Sequence, residues 1–207
     1  MVDLKAKPFN LTDSQIDWVE KTIASMTLDE KIKQLFIHLT GSFDDESIKE
    51  EAEEMQMGGI RFNPGTPEQM WTMNHAFHKY SKIPVLSAVN AEAGGNGAAR
   101  GGTMVGSEMK VAATGDPSYA YKLGQICGRE TAATGSNWSF APITDLVLNW
   151  HNPGIATRGW GNDPDQILEL SRQYFKGMQE SNIACTMKHF PGDGYDERDP
   201  HIATAVN

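Results

Sequence analysis

Apolar residues along this chain follow two rhythms, one at helical spacing and one in short continuous runs. Ile16, Val19, Ile23 and Met26 recur at helical spacing just after Thr12-x-x-Gln15, a capping box in which the two side chains satisfy each other's backbone N–H groups. A second box, Thr27-x-x-Glu30, opens "TLDEKIKQLF" and leads into an apolar stretch ending at His38. "DDESIKEEAEEM" predicts an acidic helix with a solvated face, and "GGIRF" at 58–62 a short buried strand. Thr66-Pro67-x-Gln69 combines a cap, a proline at the first helical position and a capping-box glutamine, and starts a helix reaching about residue 82. "IPVLSAVN" at 83–90 reads as a strand, and a glycine-rich loop from 93 to 106 follows it. A helix over 117–134, a strand within "NWSFAPITDLVL", a polar loop over 149–163, a helix over 164–181 and a strand in "NIACTMKHF" complete the pattern.

Strands near 36, 60, 86, 141 and 186 alternate with helices and are almost continuously apolar, the signature of a parallel α/β sheet covered by helices. No repeat, low-complexity tract or linker divides the chain, so one domain spans 1–207. Polar loops at 91–106, 145–163 and 189–207 follow the strand C-termini, the face on which a (β/α)8 barrel carries its chemistry. A full barrel takes about 250 residues and eight strands. Five strands therefore make an unclosed barrel, whereas a doubly wound open sheet closes with five. Length alone favours the open sheet.

The composition, 39% hydrophobic and 22% charged, is that of a folded soluble protein. No apolar run reaches the roughly 18 residues of a transmembrane helix, and the N-terminus "MVDLKAKPFNLTD" lacks the apolar region of a signal peptide. The expected location is the cytoplasm, with no membrane partner. In that location the sequons Asn10-Leu11-Thr12 and Asn137-Trp138-Ser139 are chance matches. A net charge of −9 without a basic stripe argues against nucleic acid. Cys127 and Cys185 fit no zinc spacing, and Cys185 is expected as a small core residue.

Candidate chemistry gathers after the strands. "GGNGAARGG" fails both the dinucleotide and the Walker patterns, which leaves a flexible loop or a close backbone approach. Asn90 and Glu92 lie just past a strand end. Asp145 ends "FAPITD", and Arg158 lies in "NPGIATRGWG", where it can form an ordinary ion pair or bind a sugar through its forked donors. Lys188 and His189 close the last apolar run at the same rim. Asp199-x-His201 then places a carboxylate two residues before an imidazole. Such a carboxylate fixes the ring tautomer and makes a general acid/base near neutral pH, unless the loop is simply solvated. A metal set of His189, Asp193 and His201 is conceivable, but its spacing matches no known motif.

"KHFPGDG", then four residues, then Asp199-x-His201 resembles the family 3 glycoside hydrolases, in their bacterial β-N-acetylglucosaminidase branch, whose motif has His at the place of Asp193. "MTLDEKIKQLF", "GGIRF", "IPVLSAVNAEAGG" and "GSNWSFAPITDLVLNWHNPGIATRGWGNDP" are similar to that family's opening helix and second to fourth strand segments, so the resemblance covers nearly the whole chain. It implies a (β/α)8 barrel of which about the first five β/α units are present. It also implies a retaining β-N-acetylhexosaminidase without metal or organic cofactor. In that scheme His201 is the acid/base, Asp199 orients it, and Lys188, His189 and Arg158 bind the non-reducing sugar. Asn90 stands where the family has Asp, and the family's arginine after E-G-G is not aligned. The family's nucleophile, an Asp after the seventh strand, has no counterpart here. The expectation is an N-terminal part of a barrel, inactive alone, that needs its missing part or self-association. A non-catalytic sugar-binding or assembly subunit and a β-glucosidase or β-xylosidase are the alternatives.

Overall fold

The computed structural model describes residues 2–203. The expected loop at 189–207 therefore lies within the described residues as far as 203.

The three expected capping boxes form as read. Thr12 caps α1 (Asp13–Ser25), Thr27 caps α2 (Leu28–Lys33) and Thr66 caps α4 (Pro67–Tyr80), each accepting from the backbone N–H three residues on. The acidic helix α3 (Asp45–Met55) is solvated except for Ile48 and Ala52, which pack it toward α4. Helices α6 (Ser118–Ala133) and α7 (Pro164–Gln179) also match the expected spans, and they pack closely on each other, Gly124 lying against the Tyr174 backbone and Gly128 against Met178. One helix was not foreseen: α5 (Glu108–Ala112), directly after the glycine-rich loop.

Strands β1 (Ile37–Thr40), β2 (Gly59–Phe62), β3 (Leu86–Val89), β4 (Trp138–Ser139) and β5 (Ala184–Cys185) form one parallel sheet in sequence order. Sequential parallel neighbours with a helix between each pair are the winding of a barrel wall rather than of a doubly wound sheet, whose order reverses. The last two strands are shorter than the sequence suggested. Pro142 has no N–H to donate, and beyond β5 only Lys188 pairs again, with Ile143. Cys185 is half-buried rather than a full core residue, and both cysteines are free thiols.

The helix-facing side of the sheet carries the core, including Ile60, Phe62, Val89 and Ile167. Registered partners in a parallel ladder share a face. Ile37 pairs Gly59 and Gly59 pairs Leu86, while Leu39 pairs Arg61 and Arg61 pairs Ala88, so these residues share the other side. Ile37, Leu39 and Leu86 are 45%, 55% and 48% exposed there. Among the described residues no strand pairs the outer edge of β1 or of β5. An apolar face between two open edges favours association. The 207-residue chain alone is expected to sediment as oligomers at micromolar concentration; a monodisperse monomer with a cooperative melt would contradict this.

Candidate functional site

Six of the eight residues singled out in the sequence meet at the C-terminal ends of β3, β4 and β5. Glu92 accepts from Arg158 twice, Nε to Oε2 at 3.1 Å and a terminal nitrogen to Oε1 at 2.9 Å. The Lys188 ammonium also bonds to Glu92 and reaches the Asn90 amide oxygen at 3.3 Å. Burial alone would raise the Glu92 carboxyl, but the Arg158 hydrogen bonds and the Lys188 charge hold it below its usual range. Glu92 thus sits between two cations, and the Asp145 carboxylate nearby supplies the second negative charge that Arg158 feels.

Asp145 builds the neighbouring part. Its buried carboxylate accepts from the His189 backbone N–H at 2.9 Å, the His189 Nδ1 at 2.8 Å and the Asp193 N–H at 2.6 Å. Burial would raise its pKa, yet these donors, the His189 ring first, keep it below the usual value. An ionised carboxylate only accepts, so His189 Nδ1 carries the proton of this contact. Asp145 and His189 line a cavity of about 540 Å³ together with Leu148, Phe190 and Tyr195.

Asp199 and His201 stand as a separate pair. Asp199 Oδ1 accepts from the His201 N–H at 2.9 Å and faces the ring Nδ1 at 2.7 Å, while the His201 side chain is 89% exposed. Those two donors, the backbone N–H first, hold the Asp199 carboxyl below its usual value. Among the described residues neither member hydrogen-bonds to the six-residue cluster. An imidazole held at Nδ1 with Nε2 open to solvent can give and take a proton.

Asn152 was not singled out as a site residue, although it joins the two loops. It is buried, donates to the carbonyls of Asp193 and Asp196, and accepts from the N–H groups of Gly154 and Ile155. Gly154 in turn accepts from Arg158. The Asn-Pro step was visible in the sequence as part of the family resemblance, but nothing in it indicated a loop-to-loop brace. Gly194 permits the same closeness, since a Cβ there would lie 1.6 Å from the Leu146 carbonyl oxygen. Asp193 contributes its backbone, and its Oδ1 is buried without a hydrogen-bond partner among the described residues. The glycine-rich loop is a close backbone approach: a Cβ on Gly97 would meet the Asn90 carbonyl at 1.9 Å. The metal alternative is not assembled, because among the described residues no three His, Cys, Asp or Glu side chains converge as ligands. No described helix is long and apolar enough to cross a membrane.

A parallel barrel wall with charged and imidazole side chains gathered at its strand C-termini defines a barrel enzyme domain. The comparisons then give the family. The glycosyl hydrolase family 3 N terminal domain matches residues 27–207, and the chain belongs to that family. A Cellulomonas fimi protein named beta-N-acetylglucosaminidase/beta-glucosidase is 36% identical over 207 residues, covering 100% of this chain and 37% of the relative. Beta-glucoside phosphorylase BglX bound to 2FGlc superposes with a TM-score of 0.93 at 38% identity, over 99% of this chain and 37% of that one. A family 3 beta-N-acetylglucosaminidase from Paenibacillus sp. str. FPU-7 gives a TM-score of 0.77 at 28% identity, over 86% and 35%. The chain thus spans little more than a third of the length of these relatives.

Proposed function

We propose that the whole protein containing this chain is a retaining β-N-acetylhexosaminidase. It removes terminal β-linked N-acetylglucosamine through a covalent glycosyl-enzyme, with His201 as acid/base and Asp199 orienting it. The observation that carries this reading is the 2.7 Å contact between Asp199 Oδ1 and His201 Nδ1, which leaves Nε2 open to protonate a leaving group and later to activate the acceptor. Lys188, His189, Arg158 and Asn90 form the floor for the non-reducing sugar, with Glu92 and Asp145 holding them. The nucleophilic carboxylate comes from a strand end beyond these five.

A second reading replaces water by phosphate. It is favoured by the relation to the β-glucoside phosphorylase, and by an imidazole acid/base, which, unlike a carboxylate, does not repel an incoming anion. One experiment separates the two. The full-length protein is given aryl β-N-acetylglucosaminide and aryl β-glucoside with and without inorganic phosphate, and the sugar product is identified. Free N-acetylglucosamine at an unchanged rate supports hydrolysis. A sugar 1-phosphate formed at a phosphate-dependent rate supports the second reading. No turnover of either glycoside overturns both.

A further inference from the structure

Glu108 is the first residue of α5, beyond the glycine-rich loop, and is 0% exposed. Both of its carboxyl oxygens lie on one backbone donor, the Ile143 N–H, at 3.1 and 3.0 Å. The sheet explains why that donor needs a side chain. Where Lys188 pairs with Ile143, the Lys188 N–H donates to the Pro142 carbonyl and the Thr144 N–H donates to the Lys188 carbonyl. In a parallel bridge of this kind the N–H and C=O of Ile143 point away from β5, toward the β3 side. There β3 has already ended at Val89, and the chain departs into the glycine-rich loop. Among the described residues no strand is left to accept from Ile143, and a buried N–H without a partner is costly.

The segment so held is the one that builds the site. Ile143 and Thr144 run directly into Asp145, whose carboxylate accepts from the His189 ring and backbone and from Asp193. Thr144 also donates to the Lys188 carbonyl, fixing the strand that carries the ammonium to Glu92. We propose that Glu108 is a positioning residue for the sugar-binding floor: its carboxyl takes the place of the missing strand and, through Ile143, sets Asp145 and His189. Burial pushes the Glu108 carboxyl well above its usual range, the Ile143 N–H opposes that rise and the Glu92 charge adds to it. Glutamine, which keeps a carbonyl oxygen to accept from the Ile143 N–H, is its closest replacement.

The kinetic side of this proposal rests on the glycosidase reading above, while its structural side does not. In the full-length protein, Glu108→Gln and Glu108→Met are compared with the parent by kinetics on an aryl β-N-acetylglucosaminide. The hydrogen-bonded Nδ1–H resonance of His189 and the exchange rate of the Ile143 amide are read by NMR. Glu108→Met, matched in shape but without an acceptor, is expected to raise KM about tenfold with a smaller change in kcat. It should also broaden or shift the His189 resonance and speed Ile143 exchange. Glu108→Gln should leave all three at parental values. A Glu108→Met protein with parental KM, His189 resonance and Ile143 exchange overturns the proposal, and so does a Glu108→Gln protein that loses them. Should Glu108→Met not fold, Glu108→Gln decides on the same readouts. If the parent turns over no glycoside, the glycosidase reading falls and the NMR comparison still decides the role of Glu108.

Discussion

Replacing His201 by alanine in the full-length protein is expected to lower kcat/KM on a β-N-acetylglucosaminide with a poor leaving group by about 100- to 10,000-fold, the usual worth of a positioned acid/base. The change lies on an exposed side chain, so the fold and the melting temperature should not move. Asp199→Asn is expected to lose less. Its amide can still accept from the His201 backbone N–H, which is 2.9 Å away in the parent, but it no longer favours the imidazolium. Steady-state kinetics with circular dichroism as a fold control checks both variants. A His201→Ala protein within threefold of the parent on such a substrate would remove His201 from the chemistry.

The second large effect concerns stability. Glu92 is the only carboxylate hydrogen-bonded to Arg158 or to Lys188 among the described residues, and its side chain is 17% exposed. Glu92→Gln leaves two neighbouring cations without their hydrogen-bonded counter-charge, with only the more distant Asp145 carboxylate acting on Arg158, which is expected to cost about 3 kcal/mol. The folded-state pKa of Glu92 lies below its ordinary 4.5. Its contribution is therefore fully present above that value and is lost as pH falls through the depressed folded value. The parent should lose stability below about pH 4.5, and the gap between parent and Glu92→Gln should close over the same range. Asp145 weakens in a similar window, below its ordinary 3.8, but does so in both proteins. Denaturant melts of the full-length pair from pH 7 to pH 3 read this directly, and a gap that is absent at pH 7 or constant with pH contradicts it.

What the sequence made legible was mostly local. The three capping boxes each close within four residues, and so does Asp199-x-His201, whose ring and carboxylate meet as its spacing implied. The strand-end rule brought Asn90, Glu92, Asp145, Arg158, Lys188 and His189 to one rim. It could not say that Glu92 would pair with Arg158, 66 residues away, or that Lys188 would reach back 98 residues to Asn90. Glu108 left no signal, because an acidic residue in the first turn of a helix is already favoured by the helix dipole, and its burial follows only from where β3 stops. Apolar spacing marked α1 correctly as amphipathic, yet α1 has no buried residue, and Trp18 and Ile23 stay exposed. A pattern tells which face is apolar; what covers that face is decided elsewhere in the fold.

The central claim is that His201 moves the proton in a family 3 glycosidase. It is tested most directly by varying the leaving group on the His201→Ala protein. Protonation matters for a poor leaving group and hardly at all for a good one. The expected result is a large loss on an alkyl β-N-acetylglucosaminide and a much smaller loss in the glycosylation step on the dinitrophenyl glycoside. An equal loss across the series, or none, would contradict the assignment.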